Sequence, residues 1–346
     1  AVEMESLGGS IDSYGGNNSF GLNAEVLSQD FEAGMTVLAD VVLNASFPDE
    51  GIEREREVQL ASIRARRDDL LPSTGLLMRR TLFDGRGYGM DQLGTEKSVT
   101  TLSAASVREA HRRLAVPNNG VLAIYGDVKL EAVRAAVEKH FAGWQRNDAV
   151  KPGALPGAPF TLTDVRHVNE SRDKKQAVLV VGFPGLTMFD SDRQALDLIQ
   201  ESCSDLGSRL FMRIRDELGL AYYVGAQNFT GLVPGYFCFY AGTSPEGAKQ
   251  VEEEIMKEVA ALREKGLTPE ELKRSKAKIV GHKKIQRQDL GNLAMHTALD
   301  ELYGLGVEHH EQEDALYEAV TLGDVKRVAQ RVLDSGQAVV AVIRPE

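Results

Sequence analysis

Seven histidines bound the metal chemistry open to this chain: His111, His140, His167, His282, His296, His309 and His310. None forms a His-x-x-x-His or His-x-x-Glu-His pair, the spacings that set two imidazoles on one helix face. His309-His310-Glu311 reads as a solvated turn in a polar loop. Nucleophilic catalysis has no better footing, because the chain lacks a Gly-x-Ser-x-Gly elbow and a Cys–His context. Cys203 and Cys238 have no CxxC spacing, which leaves two buried thiols or one disulfide. Gly8-Gly9 and Gly15-Gly16 precede a strand rather than a helix N-terminus, so they do not cradle phosphate. Two charged segments remain. Glu53-Arg54-Glu55-Arg56-Glu57-Val58 through Asp69 reads as an amphipathic helix with solvated ion pairs and a Val58/Ile63 core stripe. Ser208-Arg209-Leu210-Phe211 through Leu218 reads as a helix with surface arginines, stopped by Gly219 and followed by a strand from Ala221.

The elements around these segments occur twice. A Gly-rich hairpin from Ser10, helical stretches and Leu82-Phe83-Asp84-Gly85 recur as a hairpin from Ala221, helical stretches and Leu302-Tyr303-Gly304. Thr101-Leu102-Ser103 opens a helix leading to the strand 121–125, as Thr321-Leu322-Gly323-Asp324 opens one leading to 338–342. The offset stays at roughly 211 to 220 residues, which one duplication explains. The second copy carries roughly sixty residues ahead of its hairpin and the first only nine, so the first copy reads as N-terminally truncated and the chain as a fragment or processed piece. Predicted helices cover 30–45, 49–68, 71–82, 103–115 and 129–142, then 190–204, 207–218, 245–265, 269–288, 291–304 and 322–333. Ala177-Val178-Leu179-Val180-Val181 reads as a central strand.

With 346 residues, the chain is too long for one ordinary core. Three prolines and two glycines between Asn147 and Pro159 mark an extended linker. The division is therefore 1–146 for the first domain, 147–159 for the linker and 160–346 for the second domain. Hairpins and helix pairs without strict βαβ alternation indicate an α+β fold. Apolar content of 42% with 26% charged residues describes a soluble globular protein, and no apolar run approaches a membrane span. A net charge of −11 argues against a nucleic-acid partner and is compatible with basic peptides.

Leu7-Gly8-Gly9-Ser10-Ile11, Asn44-Ala45-Ser46-Phe47-Pro48, the Glu-Arg-Glu-Arg-Glu-Val run and Ser208-Arg209-Leu210-Phe211 through Leu220-Ala221-Tyr222 stand in a telling order. With them the chain resembles the pitrilysin/insulinase family of zinc metallopeptidases, which includes mitochondrial processing peptidase and the core proteins of the cytochrome bc1 complex. The resemblance spans essentially the whole chain. It implies two homologous domains, each a mostly antiparallel sheet packed against helices. In that family an inverted His-x-x-Glu-His helix and a later glutamate hold zinc. The helix motif would lie ahead of residue 1, and Ser62 stands where the later glutamate belongs. A serine hydroxyl is a poor zinc ligand beside a carboxylate. Glu55 stands where the family often has an auxiliary glutamate, and without the metal it reads as a surface ion pair.

The family also uses an Arg and a Tyr, with six residues between them, to hold the substrate's backbone carbonyl over the metal. Arg215 and Tyr222 have that spacing. The resemblance thus implies the non-catalytic half of a zinc endopeptidase of bacterial type, in periplasm or cytoplasm. This chain would hold no cofactor of its own. Its partners would be a peptide substrate and a zinc-bearing half, carried on the same polypeptide or on another subunit. A purely structural subunit without proteolytic role is the alternative expectation, and a self-sufficient peptidase with unrecognised zinc ligands is a third.

Overall fold

The computed structural model describes residues 2–151, 162–204 and 206–346. Most of the expected linker, 152–159, lies outside the described residues. Ahead of it, Val150 N–H donates to the Asn147 carbonyl to close a turn. Asn118 Nδ2 fastens that turn by donating to the carbonyls of Asn147 (2.9 Å) and Val150 (3.0 Å).

In chain order the first copy supplies α1 (Val2–Ser6), the hairpin β1 (Ser10–Gly15) and β2 (Phe20–Glu25), then six more helices. These are α2 (Phe31–Leu43), α3 (Asp49–Asp68), α4 (Leu70–Leu82), α5 (Glu96–Thr101), α6 (Ala104–Leu114) and α7 (Leu130–Phe141). The second copy opens with β3 (Arg166–Ser171), β4 (Ala177–Pro184), α8 (Arg193–Ser202) and a π-helix, Phe211–Glu217. The hairpin β5 (Ala221–Phe229) and β6 (Tyr236–Thr243) follows. After it come α9 (Ala248–Lys265), α10 (Pro269–Gln286), α11 (Leu290–Leu302), α12 (His309–Ala319), α13 (Leu322–Val332) and β7 (Val339–Arg344).

Local chemistry sets the helix starts. Asp69 and Asp289 cap α4 and α11, the corresponding helices of the two copies, so the duplication extends to the caps. Ser103 accepts from Ser106 N–H at the start of α6, and Thr321 and Asp324 form a reciprocal capping box at α13.

Two compact units emerge, each assembled from separate stretches of chain: Ala1–Gln59 with Glu96–Ala154 and Lys283–Gln312, and Leu60–Thr95 with Leu155–His282 and Glu313–Glu346. The second unit holds a five-stranded sheet in the order β3-β7-β4-β6-β5, antiparallel except where β3 meets β7. Strand β4 is apolar at almost every position because both its faces are covered. Leu179, Val181 and Phe183 join Phe237 and Phe239 of β6 and Val340 of β7 in one cluster, shared with residues of α8, α9 and α13. Val180, with Cys238 of β6 and Val339 and Ala341 of β7, faces Met78 and Leu82 of α4 in another. This division follows from the alternation of side chains along a strand. Gly182 lets α4 approach: a Cβ there would lie 2.3 Å from the Met78 sulfur. Cys203 and Cys238 are free and buried, in different clusters.

Among the described residues the first unit has no such core. Its buried apolar side chains are Met4, Met35, Ala39, Val116 and Ala136. The only sheet among its described residues is the β1–β2 hairpin, while α2 packs on α7 and α11 touches β2. The strand expected over 121–125 forms no ladder, and Val121, Leu122 and Tyr125 are 38–45% exposed. Its counterpart β7 lies between β3 and β4, which come from the stretch ahead of the second hairpin. Among the described residues no strand pairs with 121–125.

Other expectations also change. Helix α3 forms over the predicted 49–68, but no residue of it is buried and Val58 is 56% exposed, so the expected Val58/Ile63 core stripe is absent. His309-His310-Glu311 does not lie in a loop. It opens α12, with His310 buried and its Nδ1 4.0 Å from Asp300. Polar residues read as solvent-facing here, but α12 also buries Tyr317, which places the segment in a helix rather than in a free turn.

Each unit also takes in a helix from the other copy. Helix α4, of the first copy, packs on β4 and β7 in the second unit. Helix α11, of the second copy, lies in the first unit, where Thr297 and Tyr125 share a hydrogen bond of 2.9 Å between their hydroxyls. The tyrosine after each helix behaves likewise. Tyr88 OH accepts from Leu232 N–H in the turn between β5 and β6, and Tyr303 OH donates to Ser19 Oγ in the turn between β1 and β2.

Candidate carbonyl-binding site

Residues 208–224 fold as a clamped π-helix, a glycine turn and a bulged strand. The turn begins where Leu218 N–H donates to the Arg213 carbonyl, five residues back, in the i→i−5 winding of a π-helix. Gly219 then adopts φ +64°, and Leu220 N–H donates to the Ile214 carbonyl. A side chain at Gly219 would strain this left-handed turn. Buried Thr243 fixes the next residue by donating its hydroxyl to the Leu220 carbonyl at 2.6 Å. Ala221 pairs with Thr243 and Tyr223 with Gly242, which leaves Tyr222 as the extra residue of a β-bulge. Tyr222 is 56% exposed. Tyr223, by contrast, packs its ring where a Gly242 Cβ would be, and burial pushes its hydroxyl pKa up.

The three arginines of this segment have different fates. Arg209 was expected at the surface. Instead its Nε lies 2.9 Å from Glu258 and 3.3 Å from Glu271, with all three side chains largely buried. Desolvation pushes the Glu258 carboxyl up from its ordinary range. Arg213 bonds Glu217 at 2.8 Å and Glu254 at 3.2 Å. The exposed side chain of Arg215 makes no hydrogen bond or ion pair among the described residues; its guanidinium carbon sits 4.5 Å from the centre of the Phe211 ring. The Tyr222 hydroxyl likewise has no partner among the described residues. The segment therefore presents an uncommitted guanidinium and an uncommitted phenol on either side of the Gly219 turn. Both are donors. What the sequence reading missed is the Phe211–Arg215 stack, whose i, i+4 spacing was the available signal.

Ser62 lies midway along α3, half exposed. Glu55 is on the same helix, exposed and 3.5 Å from Arg54. Among the described residues no three His, Cys, Asp or Glu side chains are grouped to hold a metal ion. Ser62 offers a hydroxyl where zinc takes nitrogen, thiolate or carboxylate ligands.

Comparison with known proteins gives two family matches. The family described as "Peptidase M16 inactive domain" matches residues 101–279, and "Insulinase (Peptidase family M16)" matches residues 1–81. A protein of Streptomyces coelicolor named as an uncharacterized zinc protease is 28% identical over 339 residues, 95% of this chain and 73% of that protein. Among solved structures, a protease from Helicobacter pylori superposes with a TM-score of 0.87 at 17% identity, covering 99% of this chain and 83% of that one. The peptidase M16 inactive domain from Pseudomonas fluorescens superposes with a TM-score of 0.84 at 18% identity, covering 100% of this chain and 83% of that one. At these identities the structures show a shared fold.

Proposed function

The chain belongs to peptidase family M16, and from that premise we propose that it is a substrate-holding, non-catalytic half of a zinc endopeptidase. Arg215 and Tyr222 bind a backbone carbonyl of the peptide and present it to a zinc site carried by another half, on the same polypeptide or on a separate subunit. One observation carries the reading: of three arginines in the segment, only Arg215 keeps its donors unspent. A helix with merely solvated charges would leave all three alike. Ser62 in place of a carboxylate supports a metal held elsewhere.

Chemically, a guanidinium offers five N–H donors in one plane and a phenol offers one directed O–H. Both strengthen as negative charge develops on a carbonyl oxygen, which is how an oxyanion hole works. Cleavage of a fluorogenic peptide by this chain mixed with a zinc-bearing half tests the reading. Arg215→Ala is expected to lower kcat on the order of 100-fold, and Tyr222→Phe by less. Full activity in both variants would sink the substrate-holding role and favour a purely structural subunit.

A further inference from the structure

We infer that Phe211 is the positioning residue for Arg215, an assignment that rests on the substrate-holding reading above. The ring is itself held firmly. Its backbone N–H donates to Ser208 Oγ at 3.1 Å, and Ser208 is buried. Arg209, between them, is clamped by Glu258 and Glu271, and Leu210 is buried in the main core. Phe211 packs partly against the same core. The four residues Ser208 to Phe211 thus form a bracket, and Arg215 rests on its last member at 4.5 Å.

The choice of an aromatic partner has a chemical consequence. A carboxylate would hold a guanidinium more tightly but would occupy its N–H donors and cancel its charge, as Glu217 and Glu254 do for Arg213. An aromatic face attracts the cation through its quadrupole and forms no conventional hydrogen bond. Stacking therefore restricts where the guanidinium sits while its in-plane donors stay available for a peptide carbonyl. Less side-chain freedom is then left to lose on binding.

The test uses the whole chain and a fluorescein-labelled, unstructured 20-residue peptide of mixed sequence, with affinity read by anisotropy. Arg215→Ala is expected to weaken binding about ten-fold or more. Phe211→Leu, which keeps apolar volume and removes the quadrupole, is expected to weaken it roughly two- to five-fold. Phe211→Tyr and Phe211→Trp restore affinity. Phe211→Leu adds nothing in an Arg215→Ala background, because the ring acts through the arginine. A second readout is independent of peptide. The Arg215 Nε–Hε resonance, assigned by its loss in Arg215→Lys, is shifted upfield by the ring and returns toward its free position in Phe211→Leu.

If Arg215→Ala binds like the parent chain, the substrate-holding reading fails. If Arg215→Ala loses affinity and Phe211→Leu does not, that reading stands and the positioning role of Phe211 is overturned. Should Phe211→Leu fail to fold, Phe211→Trp decides: a larger upfield shift with at least parental affinity supports the role, and an unmoved resonance removes it.

Discussion

Segments 121–125 and 339–343 hold the same place in the two copies, yet only the second is a strand. Val339 to Ile343 are at most 8% exposed between β3 and β4, whereas Val121, Leu122 and Tyr125 lie 38–45% exposed with no ladder. The difference teaches that an apolar run becomes a strand only where neighbours meet its backbone groups. In the second unit those neighbours are β3 and β4. The first unit is a hairpin and helices around a few buried residues, and the second is a sheet with both faces covered.

The sharpest way to break this contrast is to delete side chains in each unit. Phe239, fully buried against Phe183 and Phe237, is expected to lose about 3–5 kcal/mol of stability as Phe239→Ala. Leu122→Ala should stay within about 0.5 kcal/mol. Urea melts with hydrogen exchange at 121–125 and 339–343 check both, and slow exchange at 121–125 would overturn the contrast. A somewhat smaller effect probes the face covered by α4. Met78→Ala removes a fully buried side chain and is expected to cost about 2–4 kcal/mol by the same melts. A loss below about 1 kcal/mol would mean that α4 is a loose cover.

The smallest effect compares the caps. Thr321→Ala and Ser103→Ala should each cost about 1 kcal/mol. Only the Thr321 site should depend on acid. Hydrogen bonds from Thr321 and from Arg327 hold the Asp324 carboxyl down at about 2, below its ordinary 3.8. A depressed carboxylate contributes stability that is complete above its unfolded value and fades as pH falls from about 3.8 to about 2. Thermal melts across that window should show a flatter acid limb for Asp324→Asn, and no change for Ser103→Ala.

Much of the molecule was legible because its signals are local. Thr321-x-x-Asp324, Asp289 and Ser103 mark helix starts through their own side chains, and Ala177–Val181 announces a strand buried on both faces. Failures came where distant parts decide. The stripe on α3 is periodic, but burial depends on what lies opposite, and Val58 stays exposed. The bulge at Tyr222 depends on the register of β5 with β6, which no local spacing encodes. Arg209 carries the same charge as Arg215, and only folding brings Glu258 and Glu271 to one and not the other. For the candidate site, the spacing of Arg215 and Tyr222 was readable, but the bracket beneath Arg215 was not.

Helix α4 belongs to a sheet whose strands are encoded far downstream. During synthesis it leaves the ribosome long before β4 and longer still before β7, at a pace of about 5–20 residues per second. Its apolar face, with Met78 and Leu82, must therefore wait in solution for seconds before the surface it covers exists. The order of synthesis thus makes the cover before the surface, and the face of α4 stays exposed until the strands it packs on have been made.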